Sequence, residues 1–214
     1  MADIKIIDNY RDLSIGDFQD ILAICKDESL EEIDKQVKVI SILSGADEQT
    51  ILDLPILEYQ KLAAKTDFLT DQPRESQRLA DSYKIGKFEL IPVKDIRKVN
   101  TAQYIDFQTF HKAGFDDHFV EILSCLLVPK GKKYNQDYDI IEVQNTIRRE
   151  LNVYDALSLY AFFVYSCKES IKDILTSCLQ EVKEIKETDK RETMTAEIKR
   201  QLILLETDGV GLPM

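Results

Sequence analysis

Apolar positions recur along this chain mainly at helical spacing. Phe18, Ile21, Leu22 and Cys25 share one stripe, and Leu30, Ile33, Val37, Ile40 and Leu43 share the next. Each stripe follows a start signal at capping-box spacing, Ser14 with Asp17 and Ser29 with Glu32. Ser44-Gly45 ends the second helix, because glycine accepts the left-handed backbone at low cost. Asp47 is placed to cap a short helix to Leu54, and Pro55 to open another through Leu57, Leu62 and Ala63. The pattern therefore predicts four short helices with tight connections.

The period then changes. Residues 70–82 are polar and read as a linker or a solvated helix. From Tyr83 to Leu90 apolar and polar residues alternate around Gly86, the pattern of a small hairpin. Ile96 and Val99 are candidates for a third short strand, which Pro92 would hold to an edge. So small a sheet needs helices to pack against.

Helical spacing resumes at Asn100, which pairs with Gln103 as a start signal. That helix runs through Tyr104, Phe107 and Phe110 to Gly114. Phe115, Phe119, Ile122, Leu123 and Leu126 form the clearest amphipathic stripe and are expected in a core. Ile140, Ile141, Val143 and Ile147 predict a further helix. Residues 159–164 are apolar on every side, so their helix should be central. Ile171, Leu175, Cys178, Val182 and Ile185 are spaced 4, 3, 4, 3, the spacing of a coiled-coil seam, but over barely two heptads, a length that better suits internal packing on residues 159–164. The expected fold is mainly α, in the α+β class. Helical clusters surround a small β-hairpin near residues 83–99, with an acidic N-terminal cluster over residues 1–82 and a hairpin plus helical region over 83–214.

Composition narrows the function classes. A chain of 214 residues is long enough to bury on the order of 70% of its extended surface. The net charge of −11 disfavours nucleic acid and anionic membranes, which attract cationic proteins. Residues 1–82 hold 9 basic and 18 acidic side chains, whereas residues 83–133 hold 9 and 6. The basic middle calls for an acidic neighbour, in this chain or in another subunit. Cys25, Cys125, Cys167 and Cys178 are scattered among apolar residues without a CxxC, the usage of a reduced cytoplasmic protein. The first twelve residues lack the basic and apolar regions of a signal peptide. The apolar run at 156–167 is too short to span a bilayer.

Candidate chemistry is sparse. No P-loop, GxGxxG, GxSxG or HExxH occurs. His111, Asp116, Asp117, His118, Glu121 and Cys125 are the one group resembling metal ligands, and a small enzyme using residues 111–125 is the outside alternative. Their spacing lacks a zinc signature, so no catalytic residue, metal or cofactor is assigned. Lys130, Lys132 and Lys133 with Tyr134 could touch a phosphate backbone, but a solvated turn beside a helix C-terminus is the favoured explanation. The aromatic series Tyr104, Phe107, Phe110, Phe115 and Phe119 could form a sticky groove, although aromatics at this spacing usually fill a core. The candidate partner-binding residues are Ile171, Leu175, Cys178, Val182, Ile185, Lys130, Lys132 and Lys133.

The order of segments carries a resemblance. The opening Leu13-Ser14-Ile15-Gly16-Asp17-Phe18-Gln19-Asp20 leads through a charged helix to Leu43-Ser44-Gly45 and then Asp53-Leu54-Pro55-Ile56. A second block runs from Asn100-Thr101-Ala102-Gln103-Tyr104-Ile105-Asp106-Phe107-Gln108 to Leu127-Val128-Pro129 and Gly131-Lys132-Lys133-Tyr134. Over residues 10–165 this resembles tail assembly chaperones and related small structural or assembly proteins of tailed bacteriophages. The resemblance implies a non-enzymatic protein of the infected bacterial cytoplasm. Its implied partner is the tape-measure protein or a tail or portal-proximal subunit, with a homo-oligomer possible. The same resemblance leaves open a structural ring or connector subunit of the virion.

Overall fold

The computed structural model describes residues 4–71, 79–182 and 188–207. Backbone packing divides the chain into two compact units, residues 1–92 with 100–159, and residues 93–99 with 160–214. The architecture is mainly helical with one small three-stranded antiparallel sheet.

The first unit opens with four helices, α1 (Ile15–Lys26), α2 (Glu32–Ser44), α3 (Glu48–Leu52) and α4 (Ile56–Lys65). Their ends follow local chemistry. The Ser14 hydroxyl accepts the Asp17 N–H at 3.1 Å and donates to the Asp17 carboxylate at 2.8 Å. Gly45 takes φ 68° and closes α2, with its N–H on the Ser41 carbonyl. Asp47 accepts the Thr50 N–H at 2.9 Å and caps α3. The expected Ser29–Glu32 box does not form. Ser29 instead donates its N–H and hydroxyl back to Asp27 Oδ1 at 2.9 and 2.6 Å, and α2 starts from Glu31 without a side-chain cap. An Asx turn at Asp27 thus captures the hydroxyl that would have capped the helix.

Beyond the N-terminal helices lie β1 (Tyr83–Ile85), β2 (Phe88–Pro92), α5 (Thr101–Ala113), α6 (Phe115–Leu126), β3 (Leu127–Pro129) and α7 (Ile140–Glu150). Asn100 accepts the Gln103 N–H at 2.8 Å to start α5, and Gly114 follows its last residue. The hairpin pairs Tyr83 with Leu90 and Ile85 with Phe88. The third strand is not supplied by Ile96 and Val99: residues Ile96–Lys98 form a 310 turn. β3 takes that place, with Leu90 opposite Pro129 and Pro92 opposite Leu127. β2 is therefore the central strand, and Pro92 is its last residue. Proline cannot donate to a ladder, so it is tolerated at that end.

The core of this unit joins α1, α2, α6, α7 and the sheet. Leu13, Ile15, Ile40, Ile51, Leu90, Phe119, Ile122, Leu123, Leu126, Leu127 and Ile147 are all buried. The Phe119–Leu126 stripe is a core stripe as expected. Phe107 is also buried, whereas Phe110 and Phe115 are half-buried and Tyr104 is exposed. Ser14 and Asn152 form an isolated antiparallel bridge, and Ile15 and Val153 donate backbone hydrogen bonds to the carbonyls of Leu151 and Leu13. These bonds tie the start of the chain to the entry of α8 (Val153–Val182).

Residues 153–159 of α8 belong to the first unit, and Val153, Ala156, Leu157 and Leu159 are buried. In the second unit Tyr160, Ala161, Phe163 and Val182 are buried, and α9 (Thr188–Thr207) follows. No helix among the described residues is long and apolar enough to cross a membrane.

Candidate functional site

The basic turn after β3 is anchored at several points. Gly131 has φ 76°, and the Lys132 N–H donates to the Pro129 carbonyl at 2.9 Å. The Lys130 N–H donates to the Glu89 carbonyl at 2.8 Å, and its ammonium donates to both Glu89 carboxylate oxygens at 2.8 and 3.0 Å. That contact holds the Glu89 carboxyl below its ordinary range. Lys132 and Lys133 are exposed. One residue on, Tyr134 turns inward and is buried. Its hydroxyl donates to Asp106 Oδ2 at 3.0 Å and sits 3.4 Å from Cys125 Sγ. With its proton given to Asp106, the Tyr134 oxygen is able to accept the Cys125 thiol proton. The Gln103 side-chain amide adds a 2.6 Å bond to the Cys125 carbonyl. Tyr134 is thereby a plug that fastens the turn to α5 and α6.

Four of the six potential metal ligands at 111–125 face different neighbours. Asp116 ion-pairs with Lys26 of α1, and its carbonyl accepts from Gln19 at 2.9 Å. The His111 ring lies against Phe107 and the His118 ring against Phe110, each with centroids 5.8 Å apart. Cys125 is buried and committed to Tyr134. Burial pushes its thiol up to about 12. A thiol so protonated is a poor nucleophile and a poor metal ligand. Among the described residues no group of three or more His, Cys, Asp or Glu could hold a metal ion. His118 Nδ1 and Gln19 Oε1 are buried without a hydrogen-bond partner among the described residues.

Along the 4-3-4-3 seam, Leu175 and Cys178 are half-buried, and Val182 is buried by the chain's own atoms. The Ile171 side chain and all of Ile185 lie outside the described residues. Cys25, expected among apolar neighbours, is exposed at the end of α1.

Sequence periodicity missed the exposed aliphatic residues of the acidic cluster. Leu52, Ile56 and Leu57 are 59%, 66% and 69% exposed, and Ile33 is 52% exposed. The apolar stripes include Ile33 and Leu57, yet on those helices Val37, Ile40 and Leu62 fill the core instead. The Tyr59 hydroxyl donates to Gln36 Oε1 at 2.5 Å and fastens α4 to α2. Ile33 and Ile56 each lie one helical turn before a member of that bond. No local signal marked them: an adjacent apolar pair such as Ile122-Leu123 on α6 is buried at both positions. A separate open groove of about 950 Å³ runs between residues 4–8 and the end of α2, with Asp12 and Lys65 on its wall.

The sequence matches no family model, no curated protein and no solved structure.

Proposed function

We propose that this chain is a non-enzymatic morphogenesis protein of a tailed bacteriophage, a tail assembly chaperone that binds the tape-measure protein. The observation that carries the reading is the set of uncovered aliphatic side chains on the acidic helical cluster, Ile33, Leu52, Ile56 and Leu57. The physical requirement is general. A long helical protein with an apolar face aggregates before its assembly partners arrive, so it needs a reversible apolar cover. Exposed aliphatic side chains on short, packed helices can supply such a cover. The segment order over residues 10–165 supports the same reading.

The test has two arms. Co-expression with the tape-measure protein should raise that protein's soluble fraction, and the two should co-purify. Quantitative mass spectrometry of purified virions should find the chain absent. A fixed copy number in every particle would sink the chaperone reading and establish a ring or connector subunit in its place.

A further inference from the structure

We propose that the corner formed by α3 and α4 docks a basic amphipathic α-helix of a partner protein, with Leu52, Ile56 and Leu57 as its apolar floor. The inference deepens the binding role above and rests on it for the partner being helical.

The floor is separate from the core. Ile51 of α3 and Leu62 of α4 are 1% and 7% exposed and anchor the two helices inward. Leu52, Ile56 and Leu57 therefore add little to that core and stand in water. Three large aliphatic side chains within six residues make a concentrated apolar feature, unlike the single exposed residues common on protein surfaces.

The charge around this floor is mainly negative, with Lys38 paired to Glu48 and the exposed Lys61 one helical turn beyond Leu57. From Asp47 to Glu58 the sequence holds four acids, Asp47, Glu48, Asp53 and Glu58, and no Lys or Arg. Hydrogen bonds from the Thr50 hydroxyl and backbone hold the Asp47 carboxyl below its ordinary range, so it stays ionised at neutral pH. Lys38 reaches one of these carboxylates, Glu48, at 2.8 Å. On α2 the exposed Ile33 stands in a similar setting, between Glu32 and Asp34.

An acidic rim around an apolar floor is complementary to an apolar stripe flanked by Lys or Arg. A helix presents that combination when apolar residues recur every three or four positions. The rim repels phosphate, which disfavours nucleic acid and anionic lipid at this face. A second copy of the chain offers a poorer match. Its basic turn at Lys130–Lys133 brings lysines, but the adjoining Leu127 and Pro129 are buried.

The experiment uses the full chain and three synthetic 18-residue peptides followed by fluorescence anisotropy. The first has a leucine stripe flanked by lysines. The second has the same composition with the leucines scattered, and the third has glutamates in place of the lysines. The first should bind, and each of the others should bind at least about tenfold more weakly, a difference of about 1.4 kcal/mol. Ile56→Asp with Leu57→Asp should weaken the first peptide at least as much without changing the circular dichroism spectrum. Glu58→Lys, or added salt, should weaken it by a smaller factor. Failure of the first peptide to bind overturns the proposal. So does equal binding of the scattered peptide, which reports bulk charge alone, or equal binding to the double variant. A chain that rescues the tape-measure protein but ignores the first peptide keeps its function and loses this face. A chain that binds the peptide yet is found in virions keeps the face and loses the chaperone role.

Discussion

The Tyr134 hydroxyl and the Asp106 carboxylate lie 3.0 Å apart, joining the loop after β3 to the middle of α5. The bond is the outer link of a chain that continues to Cys125 Sγ at 3.4 Å. Tyr134→Phe keeps the ring's packing but removes the donor for Asp106 and the acceptor for the thiol. It should lower unfolding free energy by about 1–2 kcal/mol, the scale of a hydrogen bond whose partners are left half-buried. The urea midpoint should fall while the slope stays unchanged. A midpoint equal to that of the native chain would show that water replaces the hydroxyl without loss.

Alkaline pH should destabilise the protein through its buried acids. Burial raises the Cys125 thiol from its ordinary value of 9.0 to about 12, and raises the Tyr83 phenol from 10.0 to about 12. Between the ordinary and the raised value the unfolded chain has released a proton that the folded chain retains. Stability is therefore full below about pH 9 and falls as pH rises toward 12, by up to about 1.4 kcal/mol per pH unit for each group. Denaturation midpoints at pH 7.5, 9.5 and 10.5 should trace this decline, and Cys125→Ala should make it shallower while leaving the Tyr83 part. At pH 8 the exposed Cys25 should react with iodoacetamide well before Cys125, as peptide mass mapping can show.

Two glycines with positive φ should respond differently to alanine. Gly45 has φ 68° and open space where a methyl group would project, so Gly45→Ala should cost only the left-handed strain, about 1 kcal/mol. Gly86 has φ 50° in the β1–β2 turn, and its N–H donates to Glu150 Oε2 at 2.6 Å. A Cβ there would lie 3.1 Å from Thr146 Cγ2 and 3.2 Å from Glu150 Oε1. Gly86→Ala should therefore cost more, about 2–3 kcal/mol, and equal thermal shifts for the two variants would contradict the close packing of the turn on α7.

Phe119 is 1% exposed and packs on Phe115 with centroids 4.3 Å apart. Phe119→Ala should cost about 3–5 kcal/mol, from lost transfer energy and the cavity left behind. Differential scanning calorimetry should show a large drop in Tm. An unchanged melt would mean that the α6 stripe can be removed without loosening the core.

Sequence alone determined most helix boundaries of the first unit. Ser14, Asp47 and Asn100 start helices, and Gly45 and Gly114 follow helix ends, because these devices use atoms within about four residues of each other. The core stripe Phe119, Ile122, Leu123 and Leu126 was legible for a related reason: a long one-sided apolar face must be buried. Tertiary structure alone decided the third strand. Leu127 and Pro129 pair with Pro92 and Leu90, more than thirty residues away, and no local pattern specifies a ladder between such distant segments. It also decided which apolar side chains stay in water. Periodicity put Ile33 with Val37, Ile40 and Leu43, and Leu57 with Leu62, but a neighbouring helix covers only part of a stripe. Where that cover ends depends on the packing of α2, α3 and α4 together, and there the exposed aliphatic residues remain.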